Sequence, residues 1–170
     1  MATECVIKFG PNAKSSDVSA HSTTVLKKIM ADSQVFSVTI SSTARDAYDQ
    51  ARVMYDNIKS QGVDKQKKLY ASAGDKVIDV YSQAQKDGKD RNATIALMKA
   101  KILALGPTKV SNHAADVSKL NVFDVAPSSI PADKKEKWET AIKKATDVKK
   151  YIFPPGDPGY HFEIEQPKTS

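Results

Sequence analysis

At 170 residues, with 40% hydrophobic and 27% charged side chains, the chain falls in the ordinary soluble range and is long enough to bury one good core, which predicts a single domain over 1–170. The net charge of +6 comes from 26 basic and 20 acidic residues, and the only arginines are Arg45, Arg52 and Arg91. Specific reading of guanine edges favours the rigid guanidinium fork, so this lysine-rich balance argues against specific nucleic-acid recognition.

The single cysteine, Cys5, excludes an internal disulfide and any multi-cysteine zinc or redox motif, and suits a reducing compartment. Glu4 within the first five residues and the lack of an apolar run after it argue against a secretory signal. The longest purely apolar run, Ile102-Leu103-Ala104-Leu105, is far shorter than the roughly 20 residues of a membrane-spanning helix. The expectation is a soluble, intracellular protein, in the cytoplasm or in an organelle reached by a presequence since removed.

The first segment with a pattern, Glu4 to Phe9, alternates Cys5, Ile7 and Phe9 with polar and apolar partners and predicts a strand. It runs into Gly10-Pro11-Asn12-Ala13-Lys14-Ser15-Ser16, which has the look of a phosphate-gripping loop. A P-loop needs GxxxxGK[ST]; here Gly10 is four residues from Lys14, Ala13 replaces the second glycine, and Pro11 removes an N–H donor. No nucleotide is expected.

Helical spacing follows. Asp17 to Asp32 carries Val18, Val25, Leu26 and Ile29 after a capping cluster. Phe36, Val38 and Ile40 alternate as in a short strand, although continued helix also fits. From Ser42 to Ser60, Ala44, Tyr48, Ala51, Tyr55 and Ile58 give the clearest amphipathic helix. Asp64 is a candidate cap for a third helix to Gln85, weakened at Gly74, and Asp90 for a fourth through Leu105.

After Gly106-Pro107 a fifth short helix reads Val110, Ala114, Val117 and Leu120, and Val122 to Ile130 is read as a loop. Pro131 opens a sixth helix with Trp138, Ala141, Ile142, Ala145, Val148 and Ile152 on one face. The Pro/Gly elbow 154–159 ends it, and Tyr160 to Glu165 alternates as a second strand. The expected fold is therefore all-α: five to six helices in a bundle, with a small antiparallel ribbon pairing strands 4–9 and 160–165 and placing Lys8 near Glu163 or Glu165.

The chemistry-bearing residues do not converge. His21, His113 and His161 show no HxxxH or HExxH spacing; His161 and Glu163 share a strand face, but two ligands are too few for a metal, and the pair is read as an exposed polar face. Asp75 with Asp79, and Asp46 with Asp49, lie among lysines and arginines on predicted wet faces. No serine or cysteine nucleophile has a base beside it, so neither catalysis, metal nor cofactor is expected. The tyrosines Tyr48, Tyr55, Tyr70 and Tyr81 read as packing residues.

The sixth helix carries seven lysines against four carboxylates, a net +3, opposite its apolar stripe. Lys134, Lys135, Lys137 and Lys144 with Trp138, and the terminal strand residues Tyr160, Phe162 and Ile164, make up the candidate interaction surface. The expected function is non-catalytic: protein–protein interaction or self-association, as a subunit of a larger assembly. An amphipathic-helix protein on an anionic lipid surface, or a coat or RNA-binding nucleoprotein, are the alternatives.

Overall fold

The computed structural model describes residues 3–168. Contacts divide the chain into two compact units: residues 3–44 with 116–168, and the inserted residues 45–115. The all-helical expectation does not hold, because the first unit is built on a five-stranded mixed sheet.

In that unit β1 (Val6–Phe9) is followed by α1 (Ala20–Ser33) and then β2 (Ser37–Ser42), which pairs with β1 in parallel. After the insertion come β3 (Leu120–Val125), an α-helix over Lys135–Lys144, β4 (Lys150–Ile152) and β5 (Tyr160–Glu165). The sheet order is β1-β2-β3-β5-β4, with every pairing after the first antiparallel. The predicted terminal ribbon is thus corrected. Both strands exist, but β1 lies at one edge against β2, while β5 lies inside the sheet between β3 and β4, and Lys8 stands opposite Thr39.

Alternation explains the core. Val38 and Ile40 of β2, Phe123 and Val125 of β3, and Tyr160, Phe162 and Ile164 of β5 point to one face, where Leu26, Ile29 and Met30 of α1 and Trp138 and Ile142 of the later helix cover them. Trp138 meets Tyr160 and Phe162 edge-on, with ring centroids 6.0 and 6.2 Å away. The α1 start is fixed at both ends of Ser19: its Oγ accepts from Ser22 N, and its N–H donates to Asn121 Oδ1 on β3, at 2.8 Å.

The phosphate-loop lookalike turns out to be a strand exit. The Gly10 N–H donates to Ile40 O, that of Ala13 to Gly10 O, and that of Lys14 to Thr43 Oγ1. These amides brace β1 against β2.

The second unit is helical: α2 (Ala47–Gln61), α3 (Val63–Leu69), α4 (Ser72–Lys86), α5 (Arg91–Leu105) and the single turn α6 (Pro107–Val110), which leaves α7 for Lys135–Lys144. Asp46 and Asp90 cap α2 and α5, each accepting from a backbone N–H three residues on, at 2.8 Å. Met54, Ile58, Ile78, Ile95, Met98 and Ile102 lie in its core.

Three predicted helices are redrawn. The third is broken at Tyr70 and Ala71 into α3 and α4, and Gly74 has a packing role there: a Cβ on it would run into the Tyr70 side chain. The fifth stops at Val110, because Leu120 already belongs to β3, which also claims the front of the predicted loop. The sixth ends at Lys144; Ala145 turns to extended geometry, and Lys150–Ile152 pairs with β5 as an edge strand. No helix among the described residues is long and apolar enough to cross a membrane.

Candidate metal centre

On the sheet face opposite the apolar core, β3 and β5 bring polar side chains together. Their antiparallel register sets Asp124 against His161 and Val122 against Glu163, so Glu163, two residues on from His161, shares its face. The His161 ring is held at both nitrogens: Nδ1 lies 2.9 Å from Asp124 Oδ1, and Nε2 lies 3.0 Å from Glu163 Oε1. All three side chains are buried, with relative exposures of 8% for Asp124, 6% for His161 and 4% for Glu163.

The loop before β5 is shaped around this group. Gly159 passes so close to Asp124 that a Cβ there would stand 3.3 Å from both Asp124 Cβ and Val125 O. Its N–H donates to Asp157 Oδ2 at 3.0 Å, anchoring a further carboxylate two residues before Gly159. Burial pulls the His161 pKa down, but the hydrogen bond and charge of Asp124, with Glu163 and Asp157 adding to them, more than offset this and leave it raised. Two buried carboxylates around one imidazole leave negative charge even with the ring protonated, a balance that favours a bound cation.

In the helical unit, His113 lies on the 3-10 turn Asn112–Ala114, which Ser111 Oγ caps by accepting the His113 N–H. Its carbonyl accepts from the Arg45 N–H at 2.7 Å. Arg45 Nη1 in turn donates to Gln50 Oε1, and Gln50 Nε2 to the Tyr70 hydroxyl, each at 3.3 Å.

Asp124 and His161, side by side on one sheet face, offer a carboxylate and an imidazole, donors that suit zinc or a similar borderline divalent ion. Glu163 then holds the far nitrogen of His161, as carboxylates do behind metal-bound histidines.

Of the residues singled out from sequence, Trp138, Tyr160, Phe162 and Ile164 lie in the core, at 1% exposure or less, and cannot form an interaction surface. Lys135, Lys137 and Lys144 are exposed and Lys134 half-buried; Lys134 and Lys137 both donate to Gln34 Oε1, at 3.2 and 3.1 Å. His161 and Glu163, read as a wet face, are buried. Asp75, also assigned to a wet face, is half-buried, and its Oδ1 has no hydrogen-bond partner among the described residues. Sequence gives no sign of Asp124, which lies 37 residues before His161 with no local spacing to link the two.

No family model, no curated protein and no solved structure matches this chain.

Proposed function

We propose that the protein is a metal-dependent hydrolase. The single observation behind this reading is the buried Asp124–His161 pair, two metal-type donors on one sheet face with an orienting carboxylate, Glu163, behind the imidazole. A divalent ion held there would polarise a substrate carbonyl and lower the pKa of a water in the open position. The chain's own residues do the rest. Asp124 and His161 fix the donor positions, Glu163 keeps Nδ1 of His161 directed at Asp124, and Asp157 offers a carboxylate to take up a proton from the attacking water and return it to the leaving group.

In that hydrolysis the carbonyl carbon gains a bond to the water oxygen and loses its bond to the leaving nitrogen or oxygen, which departs protonated. Simple amides and esters are the first substrates to try. The sequence holds no local acid, base and nucleophile set and so points to a non-catalytic protein; the group described here is brought together from distant segments by the β3–β5 register.

The test is metal analysis of the purified protein followed by hydrolysis assays on simple amides and esters, before and after chelation. Near-stoichiometric metal and an activity lost with EDTA, restored by Zn²⁺ and absent in Asp124→Asn, are expected. Metal-free protein that takes up no Zn²⁺ from micromolar solution would sink the reading.

A second reading keeps the interaction protein expected from sequence. β1 is an edge strand, and Val6 and Phe9 on it are exposed, at 45% and 37%. Such an edge supports pairing with an extended segment of another chain. Val6→Lys would abolish that association and leave metal binding unchanged.

A further inference from the structure

At the other end of the sheet from β5, beside β1 and β2, a cavity of about 560 Å³ opens. Lys8 of β1 and Thr39 of β2 stand opposite each other in the parallel register, and Ser37, two residues before Thr39, shares its face, so an amine and two hydroxyls line the cavity. Lys134 and Asp133 line it from the segment before α7, and Gln34 from the end of α1.

The arrangement of charge at Gln34 is unusual. Its single Oε1 accepts from both Lys134 Nζ and Lys137 Nζ, which places two ammonium groups within about twice a hydrogen-bond length of each other. Two like charges this close repel, and an anion seated beside them would offset that repulsion. Gln34 itself adopts the left-handed region, with φ 61°, a conformation that is uncommon for a residue other than glycine and that here directs its side chain to the two amines. Lys8 and Lys134 outnumber Asp133 on the cavity lining, and Lys137 stands beside Lys134 on Gln34.

We infer that this cavity binds a small phosphate monoester. This positive lining favours the −1.5 to −2 of such a group near pH 7. Lysine acts as a compact point charge for phosphate, and the Ser37 and Thr39 hydroxyls add donors to the phosphoryl oxygens. Pro131 and the exposed ring of Phe36 provide apolar wall for the ester group. This site is independent of the metal reading: it shares no residue with the Asp124, His161 and Glu163 group.

The competing account is purely structural. α1 has no basic residue in its own last turn, and Lys134 and Lys137 would then serve only to complement its C-terminal dipole. Titration of the full-length chain with phenyl phosphate and, separately, with benzoate, in EDTA and followed through the Ser37 and Thr39 amide resonances, separates the two. Saturable shifts are expected with phenyl phosphate, with affinity lowered about tenfold by Lys8→Gln or Lys134→Gln and retained by Lys134→Arg. Absence of saturable shifts, benzoate binding as tight as phenyl phosphate, or binding unchanged in both glutamine variants would each overturn the inference.

Discussion

His161 and Asp124 face each other across β5 and β3, with Nδ1 2.9 Å from Oδ1 in a setting almost closed to water. A divalent ion bound at this pair would stabilise the native state by mass action. At 100-fold excess over Kd the gain is about 2.7 kcal/mol. For a chain of this size that is a rise of roughly 5–10 °C in Tm. Thermal scans with Zn²⁺ and with EDTA check this, and the difference is expected to vanish in His161→Ala and Asp124→Asn.

Glu163 acts through the ring it holds. Losing a carboxylate behind a metal-bound histidine weakens affinity about 10–100-fold. Glu163→Ala is expected in that range, with Glu163→Gln recovering part of the loss because its amide oxygen still accepts from Nε2. Competition with a fluorescent zinc chelator measures both.

Protons and metal compete at His161. In metal-free protein the imidazole pKa is raised above 6.5, since Asp124, Glu163 and Asp157 outweigh the opposing effect of burial. The folded value then exceeds the unfolded one, so the ring's contribution to stability is fully present below about pH 6.5 and is lost as pH rises through the folded pKa. Zinc takes only the neutral ring, so its added stability runs the other way and grows with pH. Melting curves at about pH 6 and about pH 8, with and without Zn²⁺, should show the metal increment larger at the higher pH.

Trp138 is fully buried, and its Nε1–H has no hydrogen-bond partner among the described residues. Trp138→Ala is expected to cost about 3–5 kcal/mol through lost burial and the cavity left behind. Trp138→Phe should cost far less, because removing an unsatisfied buried N–H relieves a penalty of about 1–3 kcal/mol. Urea midpoints at constant m-value distinguish the two.

Gly74→Ala tests the break between α3 and α4. Helix propensity alone favours alanine by about 1 kcal/mol. Contact of the new methyl with Tyr70 reverses that sign, and net destabilisation of about 1–3 kcal/mol is expected. In a Tyr70→Ala background the same change should become neutral or stabilising, a coupling that a double-mutant cycle reads directly.

Local pattern was legible where one segment carries the whole signal. Tyr160 to Glu165 was recognisable as a strand to the residue, and Asp46 and Asp90 mark true helix starts, although only Asp90 stands out from sequence as a cap. What failed was pairing. The alternation of β1 gives no sign of whether it lies against β5 or, through α1, against β2. The Trp138 to Ile152 stripe also misled, because Val148 and Ile152 continue a helical period by coincidence while the backbone has already turned to make β4. The site suffered likewise: whether His161 and Glu163 face water depends on what covers the sheet, which a strand's own residues do not encode. Asp124 was assigned to a loop, so the register that sets it against His161 had no place in the reading.

The position of β5 constrains how the sheet is built during synthesis. Both of its neighbours, β3 and β4, leave the ribosome first, yet neither pairs with the other; each presents an open edge until Tyr160–Glu165 arrives to zip between them. The same late event carries His161 to Asp124, so the pair comes together only when the sheet is closed.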